Sequence, residues 1–161
     1  MSISFSGHEL IRIAIGIERR GIAFYDIMIK STENTATRDV FQYLASMERE
    51  HVQIFQGMLA EADRHQIPQT YVGEHAAYLQ ALVDSAVFTD DTVTSGMATQ
   101  ADSDIKALEL AIITEKDSIL FYYGMKEIIP QRIQPMVNKV ITEEKSHLRQ
   151  LTEVKKKLAT P

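Results

Sequence analysis

ITEEKSHL, residues 141–148, places two ionisable residues where an apolar helix face is expected. Val140, Glu144, His147 and Leu151 recur with the period of an α-helix and therefore share one face. A carboxylate or an imidazole that is buried without a partner carries a large free-energy cost. Both groups must therefore meet partners inside the fold.

The same inward polar residues occur in the first half of the chain. A shift of 97 residues aligns the segments around Glu18 and Glu115, and a shift of 96 aligns the two Glu-x-x-His sequences. The repeated pairs are Glu18 with Glu115, Tyr25 with Tyr122, Glu48 with Glu144, and His51 with His147. Each half is therefore predicted to be a helix pair, and the two halves together a four-helix bundle.

The repeated residues have the chemistry of a two-metal site. Residues three apart lie on one helix face, so each Glu-x-x-His directs an oxygen and a nitrogen at one point. Buried carboxylates repel one another and take up protons unless cations neutralise them, and two divalent cations supply the matching charge. An oxygen-rich site with one imidazole per metal suits iron or manganese, and zinc could substitute for them. The predicted metal ligands are Glu18, Glu48, His51, Glu115, Glu144 and His147.

Three further residues lie near this predicted site. Glu143 is four residues before His147 and could also face inward, but its equivalent in the first half is Met47, so we assign the ligand to Glu144. Tyr25 and Tyr122 each follow a lone Glu by two helical turns. They are either core aromatics whose hydroxyls need a buried acceptor, or donors that hold a ligand carboxylate in place beside the catalytic metals.

Helical periodicity covers most of the chain, and strand-like alternation is almost absent, so the fold is predicted to be all-α. A helix pair is expected over about 7–64, a crossover over about 65–102 and a second helix pair over about 103–158. Ser6 and Glu9 form a capping-box pattern, and Pro135 suits a first helical turn. The crossover contains Pro68 and the DDT sequence at 90–92. It should include a short helix over Glu74–Phe88 that covers the bundle with Tyr78, Leu82 and Val83.

Composition limits the other classes of function. A chain of 161 residues with 45% hydrophobic content suits a single domain over 1–161. The net charge of -5, without a basic block, argues against nucleic acid as a partner. The absence of cysteine excludes thiolate metal sites, and the N-terminal sequence predicts neither a signal peptide nor a membrane span. We therefore expect a cytoplasmic protein without a membrane partner.

Four segments resemble the rubrerythrin family of the ferritin-like superfamily. They occur in the family's order and are IGIERRGIAFYDIM at 15–28, MEREHVQIF at 47–55, ITEKDSILFYYGM at 113–125 and ITEEKSHLRQL at 141–151. The resemblance implies a ferritin-like bundle whose six ligands hold two iron ions, with Glu48 and Glu144 bridging them. It also implies an oxidoreductase that acts on hydrogen peroxide or dioxygen, protects cells against oxidative stress and works as a homodimer or larger homo-oligomer.

The sequence departs from the family pattern in two respects. Family members typically carry a rubredoxin domain with four cysteines, whereas this sequence has none, so we expect a variant without that domain that takes electrons from a separate donor protein. Family peroxidases also place a further carboxylate one turn from the third-helix Glu, but Ile112 and Ser118 flank Glu115 here. Two other functions stay open, namely a ferroxidase that handles iron and a metal-free helical interaction module.

Overall fold

The computed structural model describes residues 4–64, 70–88 and 101–161. These residues form five helices and two three-residue strands, which are β1 (Ser4–Ser6), α1 (Gly7–Ser31), α2 (Thr35–Arg64), β2 (Thr70–Val72), α3 (Glu74–Asp84), α4 (Asp104–Lys126) and α5 (Gln134–Ala159). The long helices have the bounds that periodicity predicts to within a few residues. The predictions for Pro68 and for the DDT sequence at 90–92 concern positions outside the described residues.

Local capping defines the start and the end of α1. The Ser6 hydroxyl accepts a hydrogen bond from the Glu9 amide, and the Glu9 carboxylate accepts one from the Ser6 amide, which confirms the predicted capping box. At the other end, the Thr32 amide donates to the Met28 carbonyl. The Asn34 side chain then accepts from the Thr37 amide and begins α2. The polar joint between the two helices is therefore short and fixed by side-chain hydrogen bonds.

Contacts between helix ends show that each helix pair is antiparallel. His8 near the start of α1 lies 2.7 Å from Asp63 near the end of α2. Lys155 near the end of α5 lies 3.3 Å from Glu109 near the start of α4. The Ser103 hydroxyl caps α4 by accepting from the Lys106 amide, and Pro135 lies in the first turn of α5, as predicted.

The crossover helix α3 packs on α4 through a close approach at Gly124. A Cβ atom added at Gly124 would lie 2.5 Å from Cδ2 of Leu79, which is fully buried. Gly73, at φ 108°, precedes α3 in a backbone conformation that favours glycine. Strand β2 pairs antiparallel with β1, so the start of the chain is tied to the segment that leads into α3.

The sequence-based prediction for α3 was wrong in two details. The helix ends at Asp84 and not at Phe88, because the Ser85 hydroxyl and amide both bond back to the Ala81 carbonyl and close the last turn. Tyr78 is 45% exposed, whereas Leu79 is buried. Leu79 therefore takes the place on the covering face that the prediction gave to Tyr78, whereas Leu82 and Val83 pack against the core as predicted.

The core consists of two apolar clusters separated by a polar layer. One cluster contains Ile11, Phe55, Tyr122 and Val140, and the other contains Phe24, Phe41, Leu108 and Leu151. Each long helix contributes to both clusters, and its buried glutamate or Glu-x-x-His pair lies between the two contributions. The fold is the predicted all-α, ferritin-like four-helix bundle, and its construction places one polar layer across the middle.

Candidate metal centre

All six predicted ligands lie in the polar layer and are buried. Helix α1 supplies Glu18, α4 supplies Glu115, and α2 and α5 each supply a Glu-x-x-His pair. Each of the six side chains is at most 5% exposed. The helical period alone turns these residues inward, because they occupy the same stripe as the apolar residues on either side. The structure thus brings together every residue that the sequence singled out.

The six residues form two adjacent groups of potential ligand atoms. One group comprises Glu18, Glu48, His51 and Glu144, and the other comprises Glu48, Glu115, Glu144 and His147. Within each group one oxygen or nitrogen atom from every residue lies within 4.8 Å of the others. Glu48 and Glu144 belong to both groups, which is the arrangement that two bridging carboxylates require.

The His51 ring directs one nitrogen at three carboxylates simultaneously. Its Nδ1 lies 2.8 Å from Glu144 Oε1, 3.3 Å from Glu18 Oε2 and 3.4 Å from Glu48 Oε2. A ring nitrogen has one proton or one lone pair, so it satisfies only one of these oxygens directly. Indeed Glu144 Oε1 has no hydrogen-bond partner among the described residues. A cation between the four atoms would satisfy all of them.

The lack of hydrogen-bond partners is clearer at His147. His147 Nδ1 lies 3.7 Å from Glu48 Oε1, 3.7 Å from Glu115 Oε2 and 3.8 Å from Glu144 Oε1, all beyond hydrogen-bond distance. Within the described part of the chain, His147 Nδ1 and Glu115 Oε2 are buried without any hydrogen-bond partner. Buried polar atoms are almost always paired in native proteins. Oxygen and nitrogen atoms that converge in this way without hydrogen bonds are suitable ligands for a metal ion.

The electrostatics of the cluster without metal favour protonation. Burial, followed by the charges of neighbouring glutamates, raises the pKa of Glu48 and that of Glu144 well above the ordinary value. Burial acts to lower the pKa of His51, but hydrogen bonds and charges from Glu18 and Glu48 outweigh it and raise the pKa to about 11. For Glu115, burial is outweighed by its hydrogen bonds and by the charge of His147, so its pKa is lowered. Without metal, bound protons therefore neutralise part of the negative charge that metal cations would otherwise neutralise.

The two predicted tyrosines contact the cluster, and each forms a hydrogen bond with the opposite half of the internal repeat. The Tyr25 hydroxyl donates to Glu115 Oε1 at 2.5 Å, and the Tyr122 hydroxyl donates to Glu18 Oε1. Each tyrosine thus bonds to the lone glutamate of the other half. Burial, followed by the nearby carboxylates, raises the pKa of both phenols. They therefore act as hydrogen-bond donors that fix one oxygen of each lone glutamate.

Glu143 also contacts the cluster, although the sequence argument set it aside as a ligand. Its Oε2 lies 2.9 Å from His51 Nε2, on the side of the ring opposite the carboxylates. Glu143 lies four residues before His147, and this spacing relates it only to residues of its own helix. The partner is instead on α2, and only the packing of α5 against α2 reveals it.

The position of the further carboxylate in family peroxidases contains no acid here. Ser118 is buried, and its hydroxyl donates to the Thr114 carbonyl at 3.0 Å within α4. Ile112 packs against the apolar cluster that contains Leu108. Among the described residues, the carboxylates found at the site are the four glutamates of the two groups, together with Glu143 behind His51.

Together, the fold and the site define a ferritin-like bundle with a buried carboxylate and histidine cluster that could hold metal ions. The family model described as Rubrerythrin matches residues 9–155, and the chain belongs to this family. No curated protein and no solved structure gives a match to the chain. None of the helices in the described ranges is both long enough and apolar enough to cross a membrane.

Proposed function

We propose that the protein is a di-iron carboxylate oxidoreductase that reduces hydrogen peroxide or dioxygen with electrons from a separate donor protein. The observation that carries the proposal is the polar layer, where two groups of buried ligand atoms share two glutamates. Among the described residues, Glu115 Oε2, Glu144 Oε1 and His147 Nδ1 in this layer have no hydrogen-bond partner. Carboxylate oxygens with one imidazole per metal suit iron. Membership of the rubrerythrin family supports the same assignment.

The six residues would divide between the two metal positions according to the two groups. Glu48 and Glu144 belong to both and would bridge the ions. Glu18 and His51 would complete one position, and the remaining glutamate and histidine the other. Two bound iron ions would supply the electrons that reduction of an oxygen–oxygen bond requires.

The protein's own side chains would control protons and water around the oxidant. Tyr25 and Tyr122 hold the lone glutamates from two directions and keep a phenolic proton beside the cluster. The apolar clusters on either side exclude water, which strengthens the electrostatic interactions within the layer. Reduction of peroxide to water consumes protons, and the phenols and carboxylates are placed to relay them.

The proposal also includes the location and the assembly of the protein. We place the protein in the cytoplasm, in keeping with the absence of a membrane-spanning helix among the described residues. We also propose a homodimer or larger homo-oligomer, in keeping with three large hydrophobic side chains that α4 exposes, Ile113 at 42%, Leu120 at 47% and Tyr123 at 41%. A contiguous exposed apolar patch is a feature of association surfaces.

The test is a single-turnover experiment on protein loaded with ferrous iron under anaerobic conditions. We expect about two irons per chain and, after addition of limiting peroxide, oxidation of about two irons per peroxide consumed. His8→Ala is the control and should behave like the wild type, because His8 pairs with Asp63 near the start of α1, away from the polar layer. Continued uptake and oxidation of many irons per chain would instead identify an iron-handling ferroxidase. Failure to bind iron would contradict the proposal.

A further inference from the structure

The two histidines of the metal centre differ on the side that faces away from the cluster. His51 Nε2 lies 2.9 Å from the Glu143 carboxylate, which is 25% exposed. His147 Nε2 is buried and has no hydrogen-bond partner among the described residues. The His147 ring contacts the Tyr43 ring edge-on, with centroids 6.2 Å apart. Within the described part of the chain, a carboxylate thus lies behind the His51 ring, and none lies within hydrogen-bond distance of His147 Nε2.

This difference arises from one departure from the internal repeat. The shift of 96 residues that aligns the two Glu-x-x-His sequences places Glu143 opposite Met47. A carboxylate accepts strong hydrogen bonds, whereas a thioether sulfur accepts only weak ones. The two rings stack with centroids 5.5 Å apart and planes inclined by 21°. Their Nδ1 atoms lie 2.8 Å and 3.8 Å from the same Glu144 oxygen, and the groups next to their Nε2 atoms also differ.

A carboxylate that accepts a hydrogen bond from one ring nitrogen of an imidazole leaves the other nitrogen to face the metal. Because Glu143 accepts from His51 Nε2, the proton stays on that nitrogen and the Nδ1 lone pair is available to a cation. The same hydrogen bond fixes the ring orientation and makes the ligand nitrogen more basic. Loss of such a partner typically weakens metal affinity by about 10- to 100-fold.

We propose that Glu143 is a positioning residue for His51 and makes the two metal positions unequal, so that the position at His51 fills before the position at His147. This proposal rests on the proposed metal centre. It assigns to this chain an ordered loading of two ions, governed by a residue that is not itself a ligand.

Anaerobic titration of the metal-free protein with Co²⁺, followed by visible absorption and by the NMR signals of the histidine ring N–H protons, tests the proposal. We expect two binding steps in the wild type. Glu143→Leu should weaken the tighter step by about 10- to 100-fold, and Glu143→Gln, which keeps an acceptor oxygen, should have a smaller effect. Met47→Glu should supply His147 with an acceptor and strengthen the weaker step.

Glu153→Gln is the matched control, because Glu153 is an exposed glutamate on the same helix whose partner is Lys157. It should leave both steps unchanged. The ring N–H signal of one histidine alone should shift in Glu143→Gln, which a general loss of stability does not produce. Equal binding steps in the wild type, or an equal loss at both steps in the folded Glu143→Gln protein, would overturn the proposal. Absence of any Co²⁺ binding in the wild type would instead contradict the metal centre itself.

Discussion

The Tyr25 hydroxyl on α1 donates a 2.5 Å hydrogen bond to Glu115 on α4, 90 residues later in the chain. Tyr122 on α4 returns the same bond to Glu18 on α1. The two halves of the internal repeat therefore hold each other's lone glutamates. Because each bond joins both halves, the position of each glutamate depends on the packing of α1 against α4.

Removal of either phenolic hydroxyl should loosen one lone glutamate. We expect Tyr25→Phe to lower the free energy of unfolding by about 1.5–3 kcal/mol, since it removes a buried hydrogen bond to a charged group. Tyr122→Phe should have a similar effect through Glu18. Urea unfolding of the metal-free protein measures the change.

Tyr43→Phe is the control for these two variants, because Tyr43 is 46% exposed. Its stability should lie within about 0.5 kcal/mol of the wild type. Unchanged stability in both Tyr25→Phe and Tyr122→Phe would show that the crossed hydrogen bonds contribute nothing to the packing of the two halves.

Metal should reverse the pH dependence of stability. In the metal-free protein the pKa values of Glu48 and Glu144 are raised from 4.5, and that of His51 is raised from 6.5 to about 11. The folded state then binds more protons than the unfolded state, so the free energy of unfolding falls as pH rises between these values. Glu115, with a lowered pKa, adds the opposite trend only at acid pH. Ligands must lose protons to bind metal, so the loaded protein should gain stability over the same range.

Thermal unfolding with and without metal at about pH 6 and about pH 9 measures both trends. The metal-free protein should melt at a lower temperature at the higher pH. The difference in melting temperature between loaded and metal-free protein should grow with pH. A metal-induced shift that is the same at both pH values would indicate that metal does not replace protons in the polar layer.

Replacement of one buried carboxylate separates the metal centre from a simple interaction module. Glu115→Leu leaves the buried Tyr25 hydroxyl without its acceptor and removes a carboxylate whose pKa is lowered by its partners, so the metal-free protein should lose about 1–3 kcal/mol of stability. Its second metal ion should be lost, together with the stabilisation that metal confers. Metal analysis and thermal unfolding of the same preparation give both values. If the variant keeps the wild-type response to metal, Glu115 is not a ligand.

The close approach of α3 to α4 predicts a local effect on stability. Gly124→Ala should lower the free energy of unfolding by about 1–3 kcal/mol, because the added Cβ would meet the buried Leu79 side chain. The matched control is Gly57→Ala on α2, where a Cβ meets no atom within 4 Å and the higher helix propensity of alanine should stabilise by up to about 1 kcal/mol. Equal effects from the two substitutions in urea unfolding would contradict tight docking of α3.

The sequence predicts the bundle and the inward direction of the six cluster residues because both follow from helical period and internal repeat. The partners of Tyr25, Tyr122 and Glu143 do not follow from either. Each of these residues bonds to a residue on another helix, and helix packing determines which residue that is. Spacing along one helix cannot specify such contacts.

The crossover shows the same limit. Tyr78 and Leu79 are adjacent apolar residues in a short helix, and periodicity does not decide which one faces the bundle. Gly124 decides it, because the absence of a Cβ there leaves room for Leu79. Strands of three residues, such as β1 and β2, are also too short to produce a clear alternation in the sequence.

Metal content per chain tests the central claim most directly. The protein would be purified from its native host without air or chelators, and iron, manganese and zinc would be measured together with protein concentration. The two groups of buried ligand atoms predict about two metal ions per chain, with iron as the main metal. Protein that is folded and contains no metal, and that takes up none on anaerobic addition of ferrous iron, would contradict the account.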